Sequence, residues 1–320
     1  MRALVWDGKR TEVADDRPEP HPSDGMAVVR VHLAGVCSTD LQILQGYMGF
    51  TGVPGHEFVG HVEEGPDGLV GRRVVGEINF GCGACDRCRS GMSRHCPHRR
   101  VMGILGADGS FAELVAVPVA NLHPVPGGLT DEQAVFTEPL AAAFSILEQV
   151  PVAPGADAVV LGDGKLGLLC AQVLRRAGAT VTLVGRHDDK LALAAGFGIT
   201  TVMTERAWRP AQDAAIVVEA TGSADGLAAA MAAVRPRGTL VLKSTVAAEH
   251  RLSLAPLVID EVTVVGSRCG LFPPALAALE EGSVAVLPLV EARYPLAEAV
   301  EAMAHAARRG ARKVLLQCSR

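Results

Sequence analysis

One segment, Gly162-Asp163-Gly164-Lys165-Leu166-Gly167, narrows the fold more than any other. It follows an apolar run at 157–161 and opens an apolar-periodic stretch at 165–176. In such a strand-turn-helix setting Gly162 permits the turn, Gly164 lets a pyrophosphate approach the backbone, and Gly167 lets helix and strand pack closely. The unpaired amides at the helix start favour phosphate charge. The glycine spacing by itself is weak evidence. Its position between a strand and a helix makes dinucleotide binding a stronger reading than a structural turn, with Gly162, Gly164, Lys165, Leu166 and Gly167 at the cofactor.

The alternation continues downstream. Strand signals at 180–184, 216–219, 240–243 and 262–265 alternate with helical patterns at 188–195 and 228–234, the rhythm of a parallel βαβ sheet. Helices are expected at 273–279 and 296–307, and a last strand at 313–316. The first third reads differently. Short β signals at 26–31, 57–62 and 70–75, separated by glycines, imply a mostly-β unit that gives way near 117–126. A helix opens at Asp131 and restarts near Pro139, since proline fits best in a first helical turn. With 320 residues, two domains are expected.

The end of the second parallel strand carries Gly185-Arg186-His187, where NAD-binding folds commonly place an acidic residue to hold the ribose hydroxyls. Arg186 offers a charged fork to a 2′-phosphate, and His187 and Lys190 can assist. NADP(H) is therefore expected over NAD(H). The plainer alternative makes Arg186 a solvated residue at a helix entry.

Eight cysteines are unevenly placed. Cys82, Cys85, Cys88 and Cys96 form a dense cluster suited to a closed structural zinc site, with an iron-sulfur centre as the chemical competitor. Cys170 and Cys318 lie among apolar residues and read as core. Cys37 and His56 offer a thiolate and an imidazole, but a catalytic zinc needs a third protein ligand, for which Glu57 and Glu138 are the acidic candidates. The competing reading is a core cysteine and a hydrogen-bonded histidine. Charged residues are 20% of the chain and the formal net charge is −5, without a long basic run, which argues against a nucleic-acid surface. No signal-type leader precedes an apolar segment and no apolar stretch reaches the roughly 20 residues that span a bilayer, so no membrane role and a cytoplasmic location are expected.

Cys37-Ser38-Thr39-Asp40, Gly55-His56-Glu57, the four-cysteine lobe, Glu138-Pro139-Leu140 and the glycine loop occur in one order along the chain. In this the sequence resembles the zinc-containing medium-chain dehydrogenase/reductase family over nearly its whole length. The resemblance implies an α/β protein: a mostly-β GroES-like catalytic domain (1–125 with the four-cysteine lobe, and 289–320) with an inserted doubly wound Rossmann domain (126–288), and an active cleft between them. It implies a catalytic zinc on Cys37, His56 and Glu138, Glu57 as an auxiliary acid, Asp40 orienting His56, and Thr39 as the first proton-relay hydroxyl. Gln42 stands where some relays have histidine. Gly266 and Ser267 are implied near the nicotinamide and Arg268 near its phosphates. Glutamate at position 138 resembles the polyol and sugar branch. The implied substrate is thus a secondary alcohol, polyol or sugar and its carbonyl product, with a primary alcohol as runner-up and an inactive nicotinamide-binding regulator as the non-enzyme alternative. A homodimer, or a homotetramer, is implied, although the chain is short for the family. Tyr47, Met48, Phe50 and Phe272 are candidates for a substrate pocket or for ordinary packing.

Overall fold

A computed structural model describes residues 1–204, 213–245 and 252–319. The chain divides into two compact units. One comprises Met1–Glu138, Ala275–Glu280 and Leu289–Arg320; the other comprises Pro139–Pro274 and Glu281–Pro288.

The first unit is built on a seven-stranded sheet. Its long strand Met26–Gly35 pairs antiparallel with Glu57–Glu64, with Leu114–Pro118 and with the terminal strand Lys313–Gln317. Valine and alanine fill the inward positions of Met26–Gly35, as a pleated, half-buried surface favours. Arg73–Gly76 and Leu122–Pro124 extend one side of the sheet, and Val290–Pro295 extends the other, parallel to Lys313–Gln317. Both ends of the sequence therefore contribute to this GroES-like unit. A three-stranded sheet of Asn79–Phe80, Arg100–Met102 and Gly106–Ala107 flanks the four-cysteine segment.

The second unit holds a six-stranded parallel sheet in the order Thr200–Met203, Thr180–Gly185, Asp157–Leu161, Ala214–Glu219, Val234–Leu242, Thr263–Gly266. The chain starts in the middle, winds outward to one side, and returns to fill the other, which is the doubly wound order of a Rossmann fold. Its core includes Leu161, Val184, Val217, Leu240 and the small residues Ala230 and Ala233 on the helix Ala224–Ala233.

Several elements differ from expectation. Residues 70–72 belong to a turn closed by the Arg72 N–H donating to the Leu69 carbonyl, and the strand begins at Arg73. Val70 is accordingly exposed. The strands Thr200–Met203 and Val290–Pro295 were not expected. Thr200–Met203 is half-buried only at its two middle residues and Val290–Pro295 alternates between half-buried and exposed positions, so neither carries a continuous apolar signature. Pro139 sits in the first turn of the helix Thr137–Gln149, where its missing N–H leaves no bond unmade.

Candidate active site and cofactor loop

Antiparallel pairing places Gly35 opposite Glu57. The two residues after Gly35 and the one before Glu57 therefore meet at the same end of the ladder, which brings Cys37 beside His56. Cys37 caps the short helix Ser38–Ile43. Asp40, the third residue of that helix, is fully buried: its Oδ2 accepts the Cys37 N–H at 2.8 Å, and its Oδ1 lies 3.0 Å from His56 Nδ1. With Nδ1 facing Asp40, the ring presents Nε2 as its ligand atom, the usual carboxylate support of a metal-binding imidazole. Burial opposes a charge on His56, yet the Asp40 carboxylate and the Cys37 sulfur outweigh it and hold the imidazole well above its ordinary range. The pocket thus favours a cation.

One ligand atom each from Cys37, His56 and Glu57 lies within 4.8 Å of the other two. The acidic member of this trio is Glu57, which the strand places next to His56. Glu138, half-buried in the first turn of Thr137–Gln149, is not part of it. Glu57 is almost completely buried, and its two oxygens differ. Oε2 is paired with the ammonium of Lys313, itself buried on the terminal strand and 5.5 Å from the Phe136 ring centroid. Oε1 has no hydrogen-bond partner among the described residues. A thiolate, an imidazole and an unpartnered carboxylate oxygen around one point form a donor set that fits zinc. Thr39 Oγ1 stands 3.8 Å from Cys37 Sγ, at the edge of this group.

The sulfurs of Cys82, Cys85, Cys88 and Cys96 also fall within 4.8 Å of one another. The N–H groups of Cys82 and His98 donate to the Cys96 sulfur at 3.4 and 3.3 Å. Backbone amides of Ala84 and Cys85 pull the Cys82 thiol down toward thiolate. Four thiolates without an open position suit a structural zinc. Tyr47 and Phe50 pack with Trp6 and Ile43. Phe272 is buried at the start of the helix Phe272–Glu280.

In the second unit Gly162 turns with φ +108°, and Gly164 precedes the helix Lys165–Arg176. A β-carbon at Gly167 would collide with the Gly162 carbonyl, so the close approach requires glycine there. Arg186 is exposed; His187 is half-buried, its ring nitrogen Nδ1 3.0 Å from the Asp163 carboxylate; Lys190 is buried in the helix Asp188–Gly196. Ser267 is buried, its hydroxyl 2.7 Å from that of Ser145 and 3.2 Å from the Lys243 ammonium, which also donates to the carbonyl of Arg268 at 3.0 Å. Gly266 and the Arg268 side chain are exposed. Sequence reasoning missed Lys313, Asp163 and Lys243. Lysine in a strand reads as solvated, and Asp163 fills a motif position that accepts any residue.

Comparison with known proteins agrees with this architecture. Residues 23–127 match the alcohol dehydrogenase GroES-like domain and residues 166–281 match the zinc-binding dehydrogenase domain. A sorbitol dehydrogenase of Halalkalibacterium halodurans is 31% identical, the match covering 99% of each chain. A D-altritol 5-dehydrogenase of Agrobacterium fabrum is 32% identical over 93% of this chain and 94% of the relative. A Sinorhizobium meliloti 1021 protein, assigned as a zinc-binding dehydrogenase and solved bound to NADP, superposes with a TM-score of 0.89 at 28% identity, covering 99% of this chain and 98% of that one. The chain belongs to the zinc-binding medium-chain dehydrogenase/reductase family, oxidoreductases of alcohols, polyols and sugars that work with NAD(P)H.

Proposed function

We propose that the protein is a zinc-dependent, NADP(H)-preferring dehydrogenase that interconverts a secondary alcohol, polyol or sugar with its carbonyl product. The observation that carries this reading is the convergence of Cys37, His56 and Glu57 on one point, with Asp40 behind the imidazole. Bound zinc would polarise the substrate oxygen, and nicotinamide would exchange hydride with its carbon. Cys37 and His56 would hold the metal, and Glu138, from the neighbouring helix start, would complete the shell. Glu57, adjacent to the same point, serves ligand exchange. Asp40 fixes the His56 ring, and Thr39 takes the hydroxyl proton; Gln42 cannot titrate as a histidine relay would.

Arg186 supports the preference for a 2′-phosphate. The polyol relatives support the substrate class, since the hydroxyls of sorbitol and altritol are mostly secondary and the altritol enzyme is named for carbon 5, which bears one. The domain borders 125/126 and 288/289, residues 266–268 at the nicotinamide end of the cofactor and a cytoplasmic location belong to the same reading. So does a homodimer: the edge strand Thr263–Gly266 is flanked by exposed Leu254, Val258 and Ile259, a surface that a second copy would cover. Among the described residues no helix is long and apolar enough to cross a membrane.

The test is a screen of the zinc-loaded enzyme against polyols, sugars, secondary and primary alcohols with both cofactors, following nicotinamide absorbance. The expected result is the highest kcat/KM for a polyol or other secondary alcohol with NADP⁺, and loss of turnover in Cys37→Ser and His56→Ala with the fold retained. Turnover that persists without zinc at this site, or a preference for primary alcohols, overturns the reading.

A further inference from the structure

The second parallel strand ends without an acid, but a carboxylate nonetheless stands at its end. Asp163, from the glycine loop after the first strand, reaches across to the residues that follow Gly185. The two strands are adjacent and in register, with Leu161 beside Val184 and the Gly162 N–H donating to the Val184 carbonyl. Asp163 Oδ2 accepts the backbone N–H of Arg186 at 2.7 Å and of His187 at 2.8 Å, while His187 Nδ1 lies 3.0 Å from both carboxylate oxygens. The side chain is 8% exposed, against 29% for His187. Gly185 makes room for it, since a β-carbon there would collide with the Asp163 carboxylate. The carboxylate is thus turned to two amides and one ring, and Arg186 forms no ion pair among the described residues.

From this geometry we infer that Asp163 is the positioning residue for cofactor selectivity: it holds the backbone at Arg186 and His187 so that the unneutralised Arg186 guanidinium meets a 2′-phosphate. The inference rests on the NADP(H) reading above. A carboxylate that read the ribose hydroxyls itself would select NADH, but here the oxygen nearest the loop already accepts three donors.

The experiment measures Kd for NADPH and NADH, by nicotinamide fluorescence at fixed salt, in the wild type, Asp163→Ala and Asp163→Asn. Thermal unfolding reports whether each variant is folded. Asp163→Ala should reduce the preference for NADPH about tenfold, mostly through weaker NADPH binding, as expected for a displaced charge-assisted contact. Asp163→Asn keeps an oxygen for the two amides and should restore the ratio to within about threefold of wild type. The inference fails if alanine weakens both cofactors equally or leaves the ratio unchanged, or if asparagine strengthens NADPH at the expense of NADH. A wild type that prefers NADH removes the phosphate reading and this role together. A wild type that prefers NADPH, with an unmoved alanine variant, removes this role alone.

Discussion

Lys313 and Glu57 form an ion pair in which each side chain is only 1% exposed. An isolated buried charge is far more costly than a paired one, so the effect of losing one partner should depend on whether the other remains. Lys313→Met leaves the Glu57 carboxylate buried and uncompensated and should destabilise the protein by about 3–5 kcal/mol. Adding Glu57→Gln should recover part of that loss. Urea unfolding of Lys313→Met, Glu57→Gln and the double variant checks the non-additivity, and simple addition of the two single effects would show that the residues are not coupled. The residues of this centre were unequally legible in the sequence. Cys37 and His56 stand out because thiol and imidazole are scarce metal-binding groups in a recognisable order. Lys313 does not, because its partner is 256 positions away and only the sheet register brings the two together.

At the scale of elements, the four-cysteine segment has little apolar material of its own. Of its four cysteines only Cys96 is fully buried, and the short helix Asp86–Arg89 buries no residue. Such a lobe relies on its metal for order. Replacing Cys96 by serine should lower bound zinc from two ions to one per chain and lower the unfolding temperature, with metal analysis and thermal unfolding as the readouts. Cys37→Ser should remove the other ion with a smaller thermal effect. The parallel strands of the second unit were readable because most are buried runs bounded by glycine or by helix signals. Thr200–Met203 and Val290–Pro295 escaped because each lies at the edge of its sheet, where tertiary pairing rather than local composition makes the strand.

For the molecule as a whole, the decisive feature is that Lys313–Gln317 lies between Met26–Gly35 and Val290–Pro295. It is an interior strand, and its residues Lys313, Val314, Leu315 and Leu316 are all buried. A chain stopped after residue 312 loses that strand and the cation beside Glu57, so it should fail to give a folded first unit, measured as loss of soluble yield and of cooperative thermal unfolding. The two-unit plan was legible in the sequence from the change between short β signals and a parallel βαβ rhythm, whereas the central place of the last strand was not, because a short apolar run carries no record of its neighbours. During synthesis the amino-terminal sheet must wait, with a gap along its longest strand, until residues 313–317 have been made. The pocket of Cys37, His56 and Glu57 therefore closes late in folding, once the Lys313 ammonium has arrived beside the Glu57 carboxylate.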